Sequence, residues 1–220
     1  RVPHAQLLCG PEGSGKLPLA IAYARYLCCT NRGEEEACGT CPSCIKFNKL
    51  AHPDLHFVFP VIKKKNDAVS DDYIKEWRNL LLTTPYFNLN HWLAEMGAEN
   101  QQAMIYEKES SEILRKLTLK SSEGGYKIMI IWLPEKMNIT CANKLLKLLE
   151  EPPSQTVLLL VSEAPDMILP TILSRTQRIN IHKIKEDEIA HALEGKFGLR
   201  PEDATSIAHI SGGNYVKALE

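Results

Sequence analysis

Two constellations in the sequence combine residue types that could do chemistry. The first is Gly10-Pro11-Glu12-Gly13-Ser14-Gly15-Lys16. A Gly-x-x-x-x-Gly-Lys spacing is that of a phosphate-binding loop, in which backbone N–H groups wrap an anion and the lysine neutralises it. The position after the lysine should carry a hydroxyl to coordinate the magnesium that bridges the phosphates, and here it is Leu17. Pro18 follows, with no N–H to offer. Gly10, Gly15 and Lys16 therefore read as a degenerate loop kept as architecture. No functional ATP binding is expected from it, although the amides from Gly13 to Lys16 leave room for weak anion binding.

The second constellation is Cys29, Cys38, Cys41 and Cys44, with eight, two and two intervening residues. That spacing brings four thiolates within reach of one tetrahedral zinc. Four protein ligands leave no open position, so the expected zinc is structural. Free thiols are the plain alternative, and Cys28 is the rival ligand. Cys9 and Cys141 read as buried apolar residues. Seven cysteines are an odd number, and the tight cluster suits a metal site better than a secreted disulfide framework.

These groups need elements to position them. Residues 6–9 form a short apolar run that feeds the glycine-rich turn, and 17–28 follow with apolar residues on nearly every face, as in a helix covered on most sides. Residues 29–45 hold Asn31, Gly33, Gly39 and Pro42, which favour turns over regular structure. Residues 55–59 are β-prone. Residues 63–120 read as an insertion. Within it Ser70 is placed to cap a helix carrying Tyr73, Ile74, Trp77, Leu80 and Leu81, a second helix spans 112–119, and Trp77 and Trp92 anchor the core. Residues 127–132 and 156–161 lack polar alternation, as strands of a parallel sheet buried on both faces do. The helical stretch 143–149, stopped by Pro152-Pro153, links them.

A shorter strand is expected at 178–182, followed by helices at 186–197, 201–210 and from 214 onward. The expected architecture is an α/β domain over 1–180, with the zinc module at 28–45 and the insertion at 63–120, then a small helical domain over 181–220. Twenty-six basic residues against 27 acidic give a net charge of -1, which argues against a chain that binds DNA by its own global charge. Lys63-Lys64-Lys65 reads as a solvated turn. The apolar runs are too short to cross a bilayer. A start at Arg1 without a leader suggests a piece of a longer, cytoplasmic protein.

Further motifs stand in one order with these two: His52-Pro53-Asp54, the run from Ala142 through Asn143-Lys144-Leu145-Leu146-Lys147 to Glu150-Glu151-Pro152, and Leu169-Pro170-Thr171-Ile172-Leu173-Ser174-Arg175. Together they resemble the bacterial clamp-loader branch of the AAA+ ATPases over most of the chain outside 63–120. The resemblance implies an AAA+ type phosphate-loop domain, a helical lid and a C-terminal collar domain beyond the residues present here. It also implies a place in the DNA polymerase III holoenzyme, where gamma/tau and delta subunits would be partners in loading the sliding clamp at primed DNA.

Ser174-Arg175-Thr176 is similar to the family's Ser-Arg-Cys motif, whose arginine reaches a neighbouring subunit's ATP, so Arg175 is the expected catalytic residue, acting in trans. Active relatives place an Asp-Glu pair where this chain has Trp132-Leu133, a polar sensor near Ser162 and Glu163, and a sensor arginine where it has Val216. Those departures point to the non-hydrolysing delta-prime branch rather than to the gamma/tau ATPases. An active ATPase and a zinc-dependent nucleic-acid module are the rival readings.

Overall fold

The computed structural model describes residues 2–63 and 68–220. Lys64 and Lys65 of the lysine run lie outside the described residues. The chain runs β1 (Ala5–Cys9), α1 (Lys16–Cys28), α2 (Pro42–Asn48), β2 (Leu55–Val58), β3 (Val61–Ile62), α3 (Ile74–Thr83), α4 (Leu89–Glu95), β4 (Ala103–Met104) and α5 (Glu107–Thr118). It continues with β5 (Lys127–Trp132), α6 (Ile139–Glu150), β6 (Thr156–Ser162), α7 (Pro170–Leu173), β7 (Gln177–Asn180), α8 (Glu186–Phe197), α9 (Pro201–Ser211) and α10 (Tyr215–Leu219).

Five strands form one parallel sheet in the order β2-β5-β6-β1-β7. In β1, β5 and β6 every residue is buried, which is why their sequences show unbroken apolar runs. Alternate side chains still go to opposite faces. Leu8, Ile128, Ile130, Val157 and Leu159 meet α1 and the aromatic residues of 57–92, whereas Leu7, Met129, Ile131, Leu158 and Leu160 meet α5 and α6. The result is the three-layered α/β architecture expected from the sequence. A third cluster, with Ile189, Leu193, Ala204 and Tyr215, holds α8, α9 and α10 together. No helix among the described residues is long and apolar enough to cross a membrane.

Several local expectations shift. Residues 42–48 are helical although their neighbours favour turns, because Pro42 sits in the first helical turn and the Cys41 side chain accepts the Cys44 N–H as an N-cap. Ser70 does not cap α3. It opens a 3-10 turn, Ser70–Tyr73, and its Oγ lies in the core between Phe59 and Glu109. Helix α5 begins five residues earlier than its apolar repeat suggests, with Glu107 and Glu109 in its first turn and Arg115 and Lys116 in its last, each sign favourable to the helix dipole. Strand β7 is shorter than 178–182 and mostly exposed, as an edge strand carrying Arg178 can be.

Residues 57–92 build an aromatic core against the end of β5. Trp77 is fully buried, stacked on Phe59 at 4.1 Å and edge-on to Trp92 at 5.1 Å, with Trp132 at 5.2 Å. The two indoles differ in one respect: Trp92 Nε1 donates to Pro60 O at 2.8 Å, whereas Trp77 Nε1 is buried without a partner among the described residues. Trp77→Ala should cost about 3–5 kcal/mol of unfolding free energy through lost contacts and a cavity. Trp92→Phe should cost about 1 kcal/mol more than Trp77→Phe, because only the former orphans a buried carbonyl. Urea unfolding of the three variants checks both statements, and equal losses for the two phenylalanine variants would contradict the second.

Candidate functional site

The glycine-rich loop lies between β1 and α1, where a phosphate would sit on the amides at the start of the helix. Gly13 and Gly15 take positive φ, 70° and 80°, as the tight turn requires. The loop's close approaches, however, are made by the protein itself. A Cβ on Gly10 would lie 2.1 Å from Ile181 O, and one on Gly13 would lie 1.8 Å from Asn214 Oδ1. Tyr215 N–H donates to Gly13 O at 3.1 Å, and Asn214 Nδ2 donates to Glu12 Oε1 at 3.1 Å. These glycines thus admit the close approach of Ile181 and Asn214.

Lys16 is turned inward. It is only 4% exposed, and its ammonium donates to Pro11 O and, at 3.2 Å, to Ser14 Oγ. Glu163 Oε1 is 3.9 Å away. Burial pulls the Lys16 ammonium below its usual range, against the opposing pull of Glu163, Glu135 and Glu12. Burial likewise pushes the Glu163 carboxyl up to about 7, although Lys16 lowers it. Glu135 fixes this corner, its Oε1 accepting the N–H groups of Glu163 at 2.9 Å and Ala164 at 3.1 Å. The Lys16 ammonium is thus already partnered by Pro11 O, Ser14 Oγ and, at longer range, Glu163.

Apolar groups narrow the remaining space beside Lys16 and Glu163. Leu17, Trp132 and Val216 are all buried, and Tyr86 and Phe87, from the α3–α4 connection, lie beside them. Phe87 packs on Trp132 at 5.3 Å and Tyr86 on Tyr215 at 4.7 Å. The cavity left is about 20 Å³, room for roughly one water. Small-molecule sites run to about 300–1,000 Å³. Leu133, next to Trp132, is held in the left-handed region at φ 54° while its N–H donates to Val161 O at 2.9 Å, so the end of β5 is locked into a strained turn.

The second constellation gathers as a cluster. The Sγ atoms of Cys29, Cys38, Cys41 and Cys44 all lie within 4.8 Å of one another, and these four residues could hold a metal ion. Neighbouring sulfurs stand 3.5 Å (Cys29 to Cys38), 3.9 Å (Cys29 to Cys41) and 4.0 Å (Cys38 to Cys44) apart. A tetrahedron with metal–sulfur bonds of about 2.3 Å has edges of about 3.8 Å, so the spacing fits a four-thiolate ion. Backbone N–H groups of Cys38, Cys41 and Cys44 each donate to a preceding cysteine sulfur at 3.3–3.4 Å. Hydrogen bonds from Thr30 and then from the Cys44 N–H pull the Cys41 thiol down to about 5. Burial pushes Cys44 up to about 12, a cost that a bound cation reverses. Cys28 turns away and donates to Tyr126 O at 3.5 Å.

His52-Pro53-Asp54 ties this module to the sheet. The buried Asp54 carboxylate accepts from Ser122 N at 2.8 Å, Ser121 Oγ at 3.0 Å and Glu123 N at 3.1 Å. Its own N–H donates to His52 Nδ1 at 3.1 Å, which leaves Nε2 facing Glu123 Oε2 at 3.1 Å. Lys46 of α2 pairs with the same Glu123, and Phe47 packs on the His52 ring at 4.7 Å.

Arg175 follows α7 on the surface, its side chain 35% exposed. Its Nε and Nη2 donate to Glu150 Oε1 at 3.0 and 2.6 Å, and its Nη1 to Thr171 O at 3.0 Å. Two motifs read separately in the sequence are thereby joined by one ion pair.

The sequence model of the family described as DNA polymerase III, delta subunit, matches residues 1–185. This chain belongs to that family. A DNA polymerase III subunit delta' of Pseudomonas aeruginosa is 33% identical over 172 residues, which are 78% of this chain and 41% of that protein. The Bacillus subtilis subunit delta' is 29% identical over 220 residues, 100% of this chain and 54% of its own length. The chain spans about half the length of the curated relatives it matches. Among solved structures, a gamma subunit-related protein of Thermotoga maritima superposes with a TM-score of 0.50 at 17% identity, over 99% of this chain and 52% of that one. The RuvB branch migration motor of the same organism gives 0.50 at 13% identity, over 98% and 52%. These two likenesses show the fold.

For this member of the delta family, sequence reading finds Leu17, Trp132 and Val216 as missing polar groups but not what fills the loop. Tyr86 and Phe87 sit in a Thr84-Pro85-Tyr86-Phe87 connection with no periodicity, and Asn214 signals only a helix cap. The Gly212-Gly213 pair just before Asn214, where a Gly213 Cβ would lie 2.8 Å from Ile184 O, was the available sign of close backbone approach.

The pairing of Lys16 with Glu163 has a pH signature. Unfolded Glu163 titrates near 4.5 and folded Glu163 near 7, so between those values the folded state holds the extra proton. Stability is therefore lost as pH rises through that window. Glu163→Gln removes the slope, and relative to wild type it should gain on the order of 1–2 kcal/mol between pH 5 and pH 8. Urea midpoints at the two pH values read this out. Parallel pH profiles would mean that Glu163 is solvated.

Proposed function

We propose that this chain is the AAA+ part of a DNA polymerase III clamp-loader subunit that neither binds nor hydrolyses ATP. The observation that carries the reading is the phosphate loop closed by its own protein: about 20 Å³ remains at a site lined by Leu17, Trp132, Glu163 and Val216. Residues 1–180 would form the α/β domain and 181–220 a lid fixed to the loop through Asn214 and Tyr215. The stretch 63–120 contributes the aromatic cover. Membership in the delta family and likeness to delta' subunits support this role over that of a gamma/tau-type ATPase, whose hydroxyl and acidic pair are missing here.

On this reading Cys29, Cys38, Cys41 and Cys44 hold a zinc that supplies folding energy and no chemistry, since no coordination position stays open. Arg175 is the residue offered to a neighbour. A guanidinium keeps its charge and grips phosphate oxygens in a fork as charge builds on them. Its tie to Glu150 is a surface ion pair worth about 0–1 kcal/mol, little to give up at an interface. The partners would be gamma/tau-type and delta-type subunits, with the sliding clamp and primed DNA engaged through the assembled loader.

Two measurements test the reading. Freshly purified, reduced protein should contain one zinc per chain, and calorimetry on the same sample should show no binding of magnesium-ATP at micromolar concentrations. A metal-free folded protein or tight magnesium-dependent binding would each contradict the assignment concerned. In a reconstituted loader at saturating ATP with clamp and primed DNA, Arg175→Ala should preserve assembly and metal content while lowering ATP turnover partially, roughly twofold, because one interface among several loses its finger. Arg175→Lys should restore little. Unchanged turnover in Arg175→Ala would reduce Arg175 to a helix-end residue.

A further inference from the structure

Helix α1 carries an uncovered face. Leu19 is 46% exposed and Ala22 is exposed, and with the half-buried Tyr23 they form an i, i+3, i+4 stripe that ends at Tyr26, whose ring lies under Arg32. The sequence pattern is that of a helix covered on most sides, and Leu19 and Ala22 on this side stay exposed among the described residues. Beside the stripe runs a groove of about 440 Å³ whose far wall is residues 34–37. On the opposite flank a hollow of about 250 Å³ shares Ala22 and Arg25 with it and reaches Leu82, itself 58% exposed.

The far wall is built rather than loose. Tyr26 Oη donates to the carbonyl oxygens of Gly33 at 3.2 Å and Glu34 at 3.1 Å. Gly33 N–H closes a turn on Glu36 O at 2.9 Å. Cys38, two residues on, is held in the cysteine cluster. Along this lip stand Glu34, Glu35 and Glu36, all exposed and without an ion pair among the described residues. Of the two nearby cations, Arg25 is tied by its Nη1 to Asn48 Oδ1 at 3.1 Å, and the Arg32 guanidinium caps the Tyr26 ring at 5.4 Å, at the end of the groove.

We propose that this groove docks a basic amphipathic helix of a protein partner. Its apolar side chains would lie on Leu19, Ala22 and Tyr23 and its lysines or arginines against Glu34, Glu35 and Glu36. The apolar stripe supplies contact area, and the three uncommitted carboxylates set the sign of the partner's charge. Thirteen residues of α1 span about 20 Å, which matches an occupant helix of about the same length. The same carboxylates repel phosphate, so a nucleic-acid strand is the wrong occupant. The proposal does not depend on whether the phosphate loop or Arg175 acts as proposed above.

The test is fluorescence anisotropy of the chain with labelled synthetic peptides of about 16 residues. One carries leucines at i, i+3, i+4 and i+7 spacing and lysines elsewhere, a second has glutamates for the lysines, and a third has alanines for the leucines. The basic amphipathic peptide should bind with a Kd on the order of 1–100 µM and the other two at least about tenfold more weakly. Leu19→Asp should weaken binding about tenfold, and the combined Glu34→Gln, Glu35→Gln, Glu36→Gln variant should weaken it similarly and flatten its salt dependence. Both changes are at exposed positions, so unfolding midpoints should stay within the range of wild type. If Leu19→Asp fails to fold, the triple glutamine variant decides alone. The proposal is overturned if the basic peptide shows no saturable binding, if wild type and variants bind it equally, or if the acidic peptide binds as well. A single-stranded oligothymidylate that displaces the peptide would also overturn it, by making the face a nucleic-acid surface.

Discussion

A lysine ammonium that is almost wholly buried must be held by the protein around it, and much of the sheet's C-terminal edge is organised by that requirement. Lys16 stands at the first residue of α1, where the helix dipole already presents positive charge, so it meets both desolvation and repulsion. In a working phosphate loop the bound anion offsets both. Here the offset is covalently part of the chain: Pro11 O, Ser14 Oγ and the carboxylate of Glu163, with Glu135 and Glu12 behind it. Fixed carboxylates do not dissociate. Beside them, Asn214 on Glu12 and Tyr215 on Gly13 fasten α10 to the loop by the protein's own hydrogen bonds.

The parts of this arrangement that depend on local pattern were legible in the sequence. Unbroken apolar runs located the strands β5 and β6, and the spacing from Gly10 to Lys16 located the loop between β1 and α1. What pattern could not reveal is what filled the vacated volume. Tyr86 and Phe87 reach the loop only because α3 and α4 pack as they do around Trp77 and Trp92, a tertiary outcome with no signature in the spacing of residues 84–87. Helix α2 was hidden for a different reason: its first turn is ordered by a cysteine sulfur acting as an N-cap, a role that propensity assigns to oxygen-bearing side chains.

The cysteine module and the sheet are joined by polar groups where a larger protein would use core. Residues 29–41 bury little, so their position rests on the four sulfurs and on the chain of contacts from Asp54 through His52 and Glu123 to Lys46. The Lys46 ammonium, followed by the opposing effect of burial and the His52 ring, sets the balance that holds the Glu123 carboxyl below its usual range. Asp54 takes three donors from residues 121–123, so the loop that precedes β5 and the helix α2 are referred to one buried carboxylate. His52-Pro53-Asp54 is thus a fastening, and the module's placement beside α1 follows from it.

That placement bears on why α1 is apolar on nearly every side. Its inner faces meet the sheet through Leu17, Ala20, Ala24 and Leu27, all buried, so core packing accounts for those positions alone. Leu19 is not part of that packing, and leaving it 46% exposed forgoes roughly 1 kcal/mol, about half the value of full burial. A polar residue at 19 would face water without loss to the fold. The apolar choice acquires a physical rationale when the face is read with the lip of 34–37, which the Tyr26 hydroxyl and the cysteine cluster hold at a fixed distance from it. Rigid walls lower the ordering cost of docking, because the groove is shaped before anything enters it. The cysteine cluster stands apart from the phosphate loop, and its place in this chain is to hold the acidic wall of residues 34–37 opposite the exposed face of α1.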